Sequence, residues 1–331
     1  MTGMFTNLPQ VLIDGLVLGF VYAVVALGYT MVYGILELIN FAHGEIFMAG
    51  AVVSTLMIIK TQGYEWANSL PPILMLLVLL LISGIITGVF GVGVERLAYR
   101  PLRKQSTQKL AALVTALSVS LILQDSFRFF IELTSGGNYE ITSKTLMSGS
   151  IPVRMSQYTG GLFHDFQLKI NHIVIIITTL IIVAGLDFFV NRTKWGTAMR
   201  AVAQDRHTAS LMAIDVSKVI LITFLIGSFI GGATGVLYAQ QYTNVNPYIG
   251  VLIGIKAFVA AVLGGIGNLR GAVLGGILIG MCETLGGSYL SQLTNGAFGS
   301  SYKDIFALLI LIIVLLFKPN GLLGRAIREK V

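Results

Sequence analysis

The polar residues best placed to do chemistry lie in one run, residues 34–45 (Gly-Ile-Leu-Glu-Leu-Ile-Asn-Phe-Ala-His-Gly-Glu), between two long apolar stretches. Polar side chains there are costly unless they meet water, a partner or a solute. Asn40 could cap the second helix, and Glu45 in its first turn would complement the positive end of the helix dipole. Alternatively, Asn40, Phe41, His43 and Glu45 line a polar break in a substrate pathway. The residues alone leave both interpretations open.

A second polar segment, residues 192–217, separates two later apolar stretches. Its apolar residues recur near the helical period and are interrupted by four polar residues at 204–207. Asp205 or Thr208 could cap a second short helix within it. Two short amphipathic helices could lie among lipid headgroups, or they could form a docking surface for another protein, which their Arg and Met content also suits.

The remaining charges within apolar stretches predict ion pairs. Asp125 and Arg128 stand three residues apart and can pair on one helix face. Lys256 and Glu283 lie in different stretches and could pair with each other, or Lys256 could extend to the membrane surface. His172 begins an apolar stretch, where we expect it at the interface.

Motifs of other functional classes are missing from the sequence. The glycine-rich run at 264–271 matches neither the phosphate-binding loop nor the dinucleotide fingerprint. There is no Cys/His metal cluster and no nucleophile elbow, and the acidic residues are too scattered for a proton relay. We therefore expect no cofactor, no metal and no enzymatic activity on this chain.

The composition predicts a membrane protein. Of 331 residues, 55% are hydrophobic and only 11% are charged, against roughly 25% in soluble domains. Unbroken apolar runs favour helices over the alternating strands of a barrel. We predict an all-α, polytopic protein with a single transmembrane domain over residues 1–331. Nine spans are expected, at 11–36, 40–59, 71–94, 109–131, 170–190, 219–240, 249–266, 271–290 and 302–317.

Basic residues predict the orientation of these spans. They cluster in three segments that a nine-span count puts on one side: Arg96, Arg100, Arg103, Lys104 and Lys109; Arg192, Lys194, Arg200, Arg206 and Lys218; and Lys318, Arg325, Arg328 and Lys330. The positive-inside rule makes that side cytoplasmic, with the N-terminus outside and the C-terminus inside. An even count stays open if the short, glycine-rich seventh span is re-entrant or broken. The net charge of +7 is thereby assigned to cytoplasmic loops and not to nucleic-acid binding.

Glycines spaced four apart predict close helix packing. Such pairs occur at Gly84/Gly88, Gly227/Gly231/Gly235, Gly250/Gly254, Gly271/Gly275 and Gly276/Gly280. No basic residue precedes the first apolar stretch, so we expect that stretch to be a retained span and not a cleaved signal peptide.

Residues 26–51, which contain the first polar run, closely resemble the LivH-type permeases of ABC importers for branched-chain and other neutral amino acids. Residues 196–206 and 257–272 also fit this family, in the family's order. The resemblance implies a bacterial-type inner-membrane location and three kinds of partner: a second, LivM-like permease, two cytoplasmic ATPase subunits that carry ATP and Mg, and an extracytoplasmic binding protein.

The resemblance further implies that the second polar segment is inserted into the ATPase. The residues implied in this coupling are Arg200, Ala203, Gln204, Asp205, Arg206, Thr208, Ala209, Leu211 and Met212. Ala213 departs from the pattern, because the family usually has glycine there, and this puts the exact turn in doubt.

Within the resemblance, a single position of the first polar run bears on the substrate class. Urea importers have similar permeases, in which Asn-Met-Ala-His-Gly-Glu is the usual form of the first run. Phe41 favours the amino-acid branch. An ion-coupled carrier is the remaining alternative, and the small number of membrane acids argues against it.

Overall fold

The computed structural model describes residues 6–36, 38, 40–65, 69–104, 109–157, 163–295, 297–298 and 302–324. Glu37 and the basic residues of the C-terminal tail beyond Lys318 lie outside the described residues, as do the side chains of Arg103, Lys104 and Lys109. The described chain is a helical bundle. Its helices are α1 (Leu8–Leu36), α2 (Ala42–Thr61), α3 (Pro72–Val94), α4 (Arg100–Lys104), α5 (Lys109–Ser135), α6 (Ile170–Arg192), α7 (Lys194–Gln204), α8 (Arg206–Leu211), α9 (Val216–Tyr242), α10 (Ile249–Gly264), α11 (Leu269–Leu293) and α12 (Lys303–Phe317).

Each of the nine predicted spans corresponds to a helix in the described part of the chain. Seven helices are long and apolar enough to cross a membrane. The other two, α10 with 16 residues and α12 with 15, are shorter than the roughly 20 residues that a perpendicular crossing needs. The seventh span, α10, is one continuous helix and is not broken. The prediction of a polytopic helical membrane protein is confirmed.

Two small antiparallel sheets lie in the connections at one end of the bundle. β1 (Ile141–Thr142) pairs with β4 (Asn244–Val245), which joins the long connection after α5 to the end of α9. β2 (Ser150–Val153) pairs with β3 (Phe166–Lys169), which leads directly into α6. We call this the sheet end of the bundle.

The opposite end holds the basic segment at residues 192–218 and the turn at Arg270, and we call it the basic end. A guanidinium nitrogen of Arg206 donates to the Ile35 carbonyl over 2.8 Å, which joins the second polar segment to the last turn of α1. The Arg270 side chain lies 3.7 Å from the Asp187 carboxylate, which joins the start of α11 to the end of α6. These contacts bring predicted cytoplasmic segments to one end, while the orientation in the membrane stays a prediction.

Glycines allow the central helices to touch backbone to backbone. α1 is buried along most of its length and packs against α9, α10 and α11. A Cβ added at Gly276 would overlap the Ala23 backbone, and one added at Gly280 would overlap the Gly19 backbone. The predicted small-residue packing is therefore present in the structure. Outer helices such as α3, α5, α6 and α12 leave apolar side chains exposed.

Candidate translocation and coupling sites

The chain reaches α2 through an irregular connection fixed by Asn40. The side-chain oxygen of Asn40 accepts a hydrogen bond from the Tyr99 hydroxyl over 3.1 Å. Tyr99 belongs to a π-helical turn, Glu95–Tyr99, that continues α3. The prediction that Asn40 caps α2 is wrong, because Phe41 occupies the cap position and no side chain accepts a bond there. The Oδ1 atom of Asn40, which would accept the bond in a cap, accepts a bond from Tyr99.

His43 is fully buried in a space made by glycines. A Cβ at Gly28 of α1 would overlap the His43 Nε2, and one at Gly231 of α9 would lie 3.1 Å from the ring. Tyr29 packs edge-on to the ring at 4.9 Å between centroids. The Val25 carbonyl faces the ring, yet neither ring nitrogen makes a well-formed hydrogen bond within the described residues. His43 of α2 therefore packs against both α1 and α9.

Glu45 is equally buried, and only one of its two carboxylate oxygens has a hydrogen-bond partner within the described residues. Its Oε1 accepts from the Ser120 hydroxyl over 3.2 Å, while Oε2 has no hydrogen-bond partner in the described part of the chain. That second oxygen lies against Gly250 of α10, where a Cβ would overlap it. Glu45 does stand in the first turn of α2, as predicted, but it faces the interior.

The structure thus gathers the four tentative pathway residues around the start of α2. Phe41 is partly buried against Phe258, with ring centroids 6.0 Å apart, and the other three are buried. Their pathway role stays a prediction. The geometry adds the glycines that enclose them: Gly231 and Gly250, which the sequence predicted only as packing residues, and Gly28, which it did not single out.

The second polar segment forms two short, capped helices at the basic end. Thr193 caps α7 by accepting from the Gly196 N–H over 3.1 Å, and Met199 and Val202 form the buried face of this helix. Asp205 caps α8 by accepting from the His207 N–H over 2.9 Å and from the Thr208 hydroxyl. The Thr208 hydroxyl and then the His207 N–H hold the pKa of Asp205 below its ordinary value. The prediction of two helices with Asp205 as a cap is confirmed.

The predicted coupling residues divide into an exposed set and an anchoring set. Leu211 and Met212 are 73% and 74% exposed. Ala203, Gln204, Asp205 and Thr208 are exposed as well. Ala209 is buried, and Arg206 is partly buried where it bonds Ile35. Arg200, although exposed, turns back to the Val190 carbonyl.

The turn after α8 is a Schellman motif that contains alanine. The Ile214 N–H donates to the Ala209 carbonyl, and the Ala213 N–H donates to the Ser210 carbonyl, both over 3.1 Å. Ala213 has a φ of 61°, a left-handed conformation in which glycine carries no steric penalty. The turn thus keeps the geometry that glycine would favour, at the expense of local strain.

A cleft of about 1060 Å³ opens at the basic end beside this segment. Its lining includes Arg192, Arg200 and Arg270 and also Asn320 of the C-terminal tail. The tail is held in place because the Leu322 and Leu323 N–H groups donate to the Leu263 and Gly264 carbonyls. The second polar segment therefore borders a concave, basic surface.

The predicted Lys256–Glu283 pair is confirmed, with 2.7 Å between the ammonium and Oε1, so Lys256 does not extend to the membrane surface. Three further residues, not considered from the sequence, join the pair. Asp304 lies 2.7 Å from the Lys256 ammonium, Lys303 lies 3.6 Å from Glu283, and the Tyr22 hydroxyl donates to Glu283 over 2.8 Å. Lys303 and Asp304, two adjacent residues of opposite charge at the start of the last span, are the sequence feature that could have predicted this larger cluster.

The other two predictions about charges have different outcomes. Asp125 and Arg128 pair at 3.8 Å on an exposed helix face, as expected. His172 stands in the first turn of α6, directly after β3, and its side chain is fully buried against α1 and α9, while its place at the membrane interface stays a prediction. Its Nε2 lies 3.1 Å from Gln241 and 3.7 Å from the Asp14 carboxylate.

An apolar helical bundle with buried polar groups and a rigid amphipathic segment at its basic end has the architecture of a membrane permease. Residues 11–315 match the family model described as the permease component of branched-chain amino acid transport systems, and the chain belongs to this family.

Individual relatives agree along nearly the whole chain. It is 40% identical to the high-affinity branched-chain amino acid transport system permease protein BraD of Pseudomonas aeruginosa, over 97% of each chain. It is 38% identical to the permease protein LivH of Escherichia coli, over the full length of both. A probable permease protein LivM of Methanocaldococcus jannaschii is 23% identical over 74% of this chain and 68% of its own. No solved structure matches the chain. The resemblance to LivH-type permeases is confirmed.

Proposed function

We propose that this chain is the transmembrane permease subunit of an ATP-driven ABC importer that carries branched-chain and other neutral amino acids across the inner membrane. Membership of the permease family and the similarity to full-length branched-chain amino acid permeases support the substrate class. In this proposal the chain is not itself an enzyme. ATP and Mg are bound, and ATP is hydrolysed, by partner subunits.

The proposed partners are a second, LivM-like permease, two ATPase subunits and an external binding protein. The observation that carries the assignment is the surface at the end of α8, where Leu211 and Met212 are exposed beyond the bundle. Leucine and methionine side chains held on a capped helix suit burial against a protein, since an interface gains most from fixed apolar side chains. We therefore assign this surface to an ATPase subunit.

The contacts of α8 suggest how ATPase closure reaches the pathway. Arg206 ties α8 to the last turn of α1, and Asp215, which follows α8, caps α9 by accepting from the Lys218 N–H over 3.1 Å. α1 carries Gly28 and α9 carries Gly231, the two glycines that enclose His43. A rigid-body shift of α8 would therefore move both walls around His43.

The test is to replace Leu211 and Met212 by glutamate in the transporter reconstituted with its co-encoded partners. We expect ATP-dependent leucine uptake to fall at least tenfold and the ATPase subunits to dissociate, because two charges would be buried at the contact. The matched control is Leu133→Glu, a leucine 68% exposed at the sheet end of α5. Normal assembly and uptake in the double variant would show that α8 is not the coupling surface.

A further inference from the structure

Four charged side chains from α10, α11 and α12 form a charge cluster in the sheet-end half of the bundle. Lys256 contacts Glu283 and Asp304 at 2.7 Å each, and Lys303 lies 3.6 Å from Glu283. The Tyr22 hydroxyl of α1 donates to the second oxygen of Glu283 over 2.8 Å. The cluster contains two ammonium groups and two carboxylates, so it is neutral overall.

Exposure decreases in steps across the charge cluster. The side chains of Lys303 and Asp304 are about half exposed, Lys256 is 12% exposed, and Glu283 is 2% exposed. Tyr238 and Tyr242 of α9 lie within electrostatic range of Glu283. The cluster thus runs from the exposed start of α12 into the interior beside α1, and in the predicted orientation its exposed side faces outward.

Stability alone does not account for these charges. A buried ion pair can usually be replaced by apolar side chains of similar volume without loss of stability. Ionisable residues within membrane helices are rare and mark solute pathways more often than packing. The exposed Asp125–Arg128 pair of α5 lacks this burial and needs no such explanation.

We propose that the charge cluster binds the α-ammonium and α-carboxylate groups of the transported amino acid. The inference rests on the proposed function and adds a location for its substrate. Lys303 and Asp304, adjacent in sequence, present one ammonium to Glu283 and one carboxylate to Lys256. A free amino acid carries the same two groups.

Substrate binding is then an exchange of like groups. The substrate carboxylate replaces Asp304 at Lys256, and the substrate ammonium replaces Lys303 at Glu283. The displaced side chains are half exposed and can be hydrated, so no buried charge loses its partner. Leu252, exposed on α10 one helical turn before Lys256, provides an apolar surface for an aliphatic side chain.

Two variants of the assembled transporter test this proposal, with uptake of labelled leucine in proteoliposomes as the readout. Lys256→Met/Glu283→Leu removes both inner charges together and leaves only the half-exposed Lys303 and Asp304, and we expect a loss of uptake of at least tenfold with assembly retained. Lys303→Gln/Asp304→Asn removes only the half-exposed pair. We expect it to keep uptake and to bind leucine several-fold more tightly in the absence of binding protein, because the internal competitor is gone.

Analogues separate charge recognition from apolar binding. Leucinol lacks the carboxylate and 4-methylpentanoate lacks the ammonium, so we expect each to compete at least tenfold less well than leucine for the wild-type transporter. Asp125→Asn/Arg128→Gln is the matched control for loss of an ion pair and should behave as wild type.

The possible results distinguish a failure of the substrate site from a failure of the proposed importer function. Wild-type uptake in the Lys256→Met/Glu283→Leu variant, or equal competition by leucine, leucinol and 4-methylpentanoate, would overturn the substrate site and leave the importer function intact. If that variant does not assemble, the Lys303→Gln/Asp304→Asn variant decides: unchanged or weaker leucine binding in it would make the cluster a structural clamp for α12. Absence of leucine uptake by the wild-type transporter would instead contradict the proposed function.

Discussion

Two regions of this chain are rich in polar residues, and the structure uses them in opposite ways. Around His43 and Glu45 at the start of α2, polar side chains are enclosed by glycines of three other helices. In the segment of α7 and α8, polar side chains cap two short helices and hold Leu211 and Met212 outward. Polar residues in a membrane protein can therefore fix interior packing in one place and build a rigid external surface in another.

Arg206 connects the two regions, since it belongs to α8 and bonds the last turn of α1. Because the first region holds helices together in the interior, changes in it should lower the stability of the bundle. Changes in the second region will lower the coupling of the bundle to its partners more than its stability.

The largest effect is expected for Gly28→Ala. The new methyl group would overlap the His43 ring, and overpacking of this kind costs about 3 kcal/mol. Thermal unfolding of the purified protein measures the loss. Gly185→Ala in α6 is the control, because a Cβ there meets nothing within 4 Å.

Adding His43→Ala to the Gly28→Ala variant sharpens this prediction. Removal of the ring makes room for the methyl group, so the double variant should be more stable than the sum of the single changes by at least about 1 kcal/mol. Strict additivity would show that the contact between Gly28 and His43 does not hold the helices together.

Arg206→Gln should have the next largest effect. Loss of a hydrogen bond from a charged donor to the Ile35 carbonyl costs about 1.5 kcal/mol, and it detaches α8 from α1. We expect ATP hydrolysis to continue while uptake per ATP falls several-fold. The exposed Arg192→Gln is the control for loss of one positive charge at the same end, and an equal decrease in both variants would refute the specific role of Arg206.

Ala213→Gly should produce a smaller effect of the opposite sign. Glycine relieves the left-handed strain at φ 61°, which should stabilise the turn after α8 by about 0.5–1 kcal/mol. Hydrogen exchange of α8 should therefore slow. Ala203→Gly, on the exposed face of α7, should instead speed local exchange, because it places glycine inside a helix.

The smallest effect concerns the pH dependence of the α8 cap. The pKa of Asp205 is lowered in the folded protein, so the cap stabilises α8 above the ordinary carboxylate pKa of about 4 and is lost as the pH falls through the lowered value. Asp205→Asn keeps a capping oxygen without a titration. Acid should therefore increase hydrogen exchange of α8 in the wild type more than in this variant at the same pH, and equal increases would show that Asp205 does not cap the helix in solution.

Much of the fold was predictable because the periodicity and length of apolar runs are properties of the local sequence. The helices at the nine predicted spans and the Asp205 cap follow from such patterns. Asn40 shows the limit: a cap was one of the two interpretations that its sequence position left open, and its actual partner, Tyr99, lies 59 positions away in a π-helical turn. The burial of His172 shows the same limit, because it depends on α1 and α9 and not on its own helix.

As a subunit of an ATP-driven importer of neutral amino acids, the chain should be needed for leucine uptake by whole cells. The most direct measurement is labelled leucine uptake in cells that lack the gene, with and without its restoration, under ATP depletion and with unlabelled leucine, proline, glutamine or urea as competitors. The account predicts that restoration brings back ATP-dependent uptake that neutral amino acids block and urea does not. Uptake blocked by urea alone would contradict the substrate class, and uptake that survives ATP depletion would contradict the ABC mechanism itself.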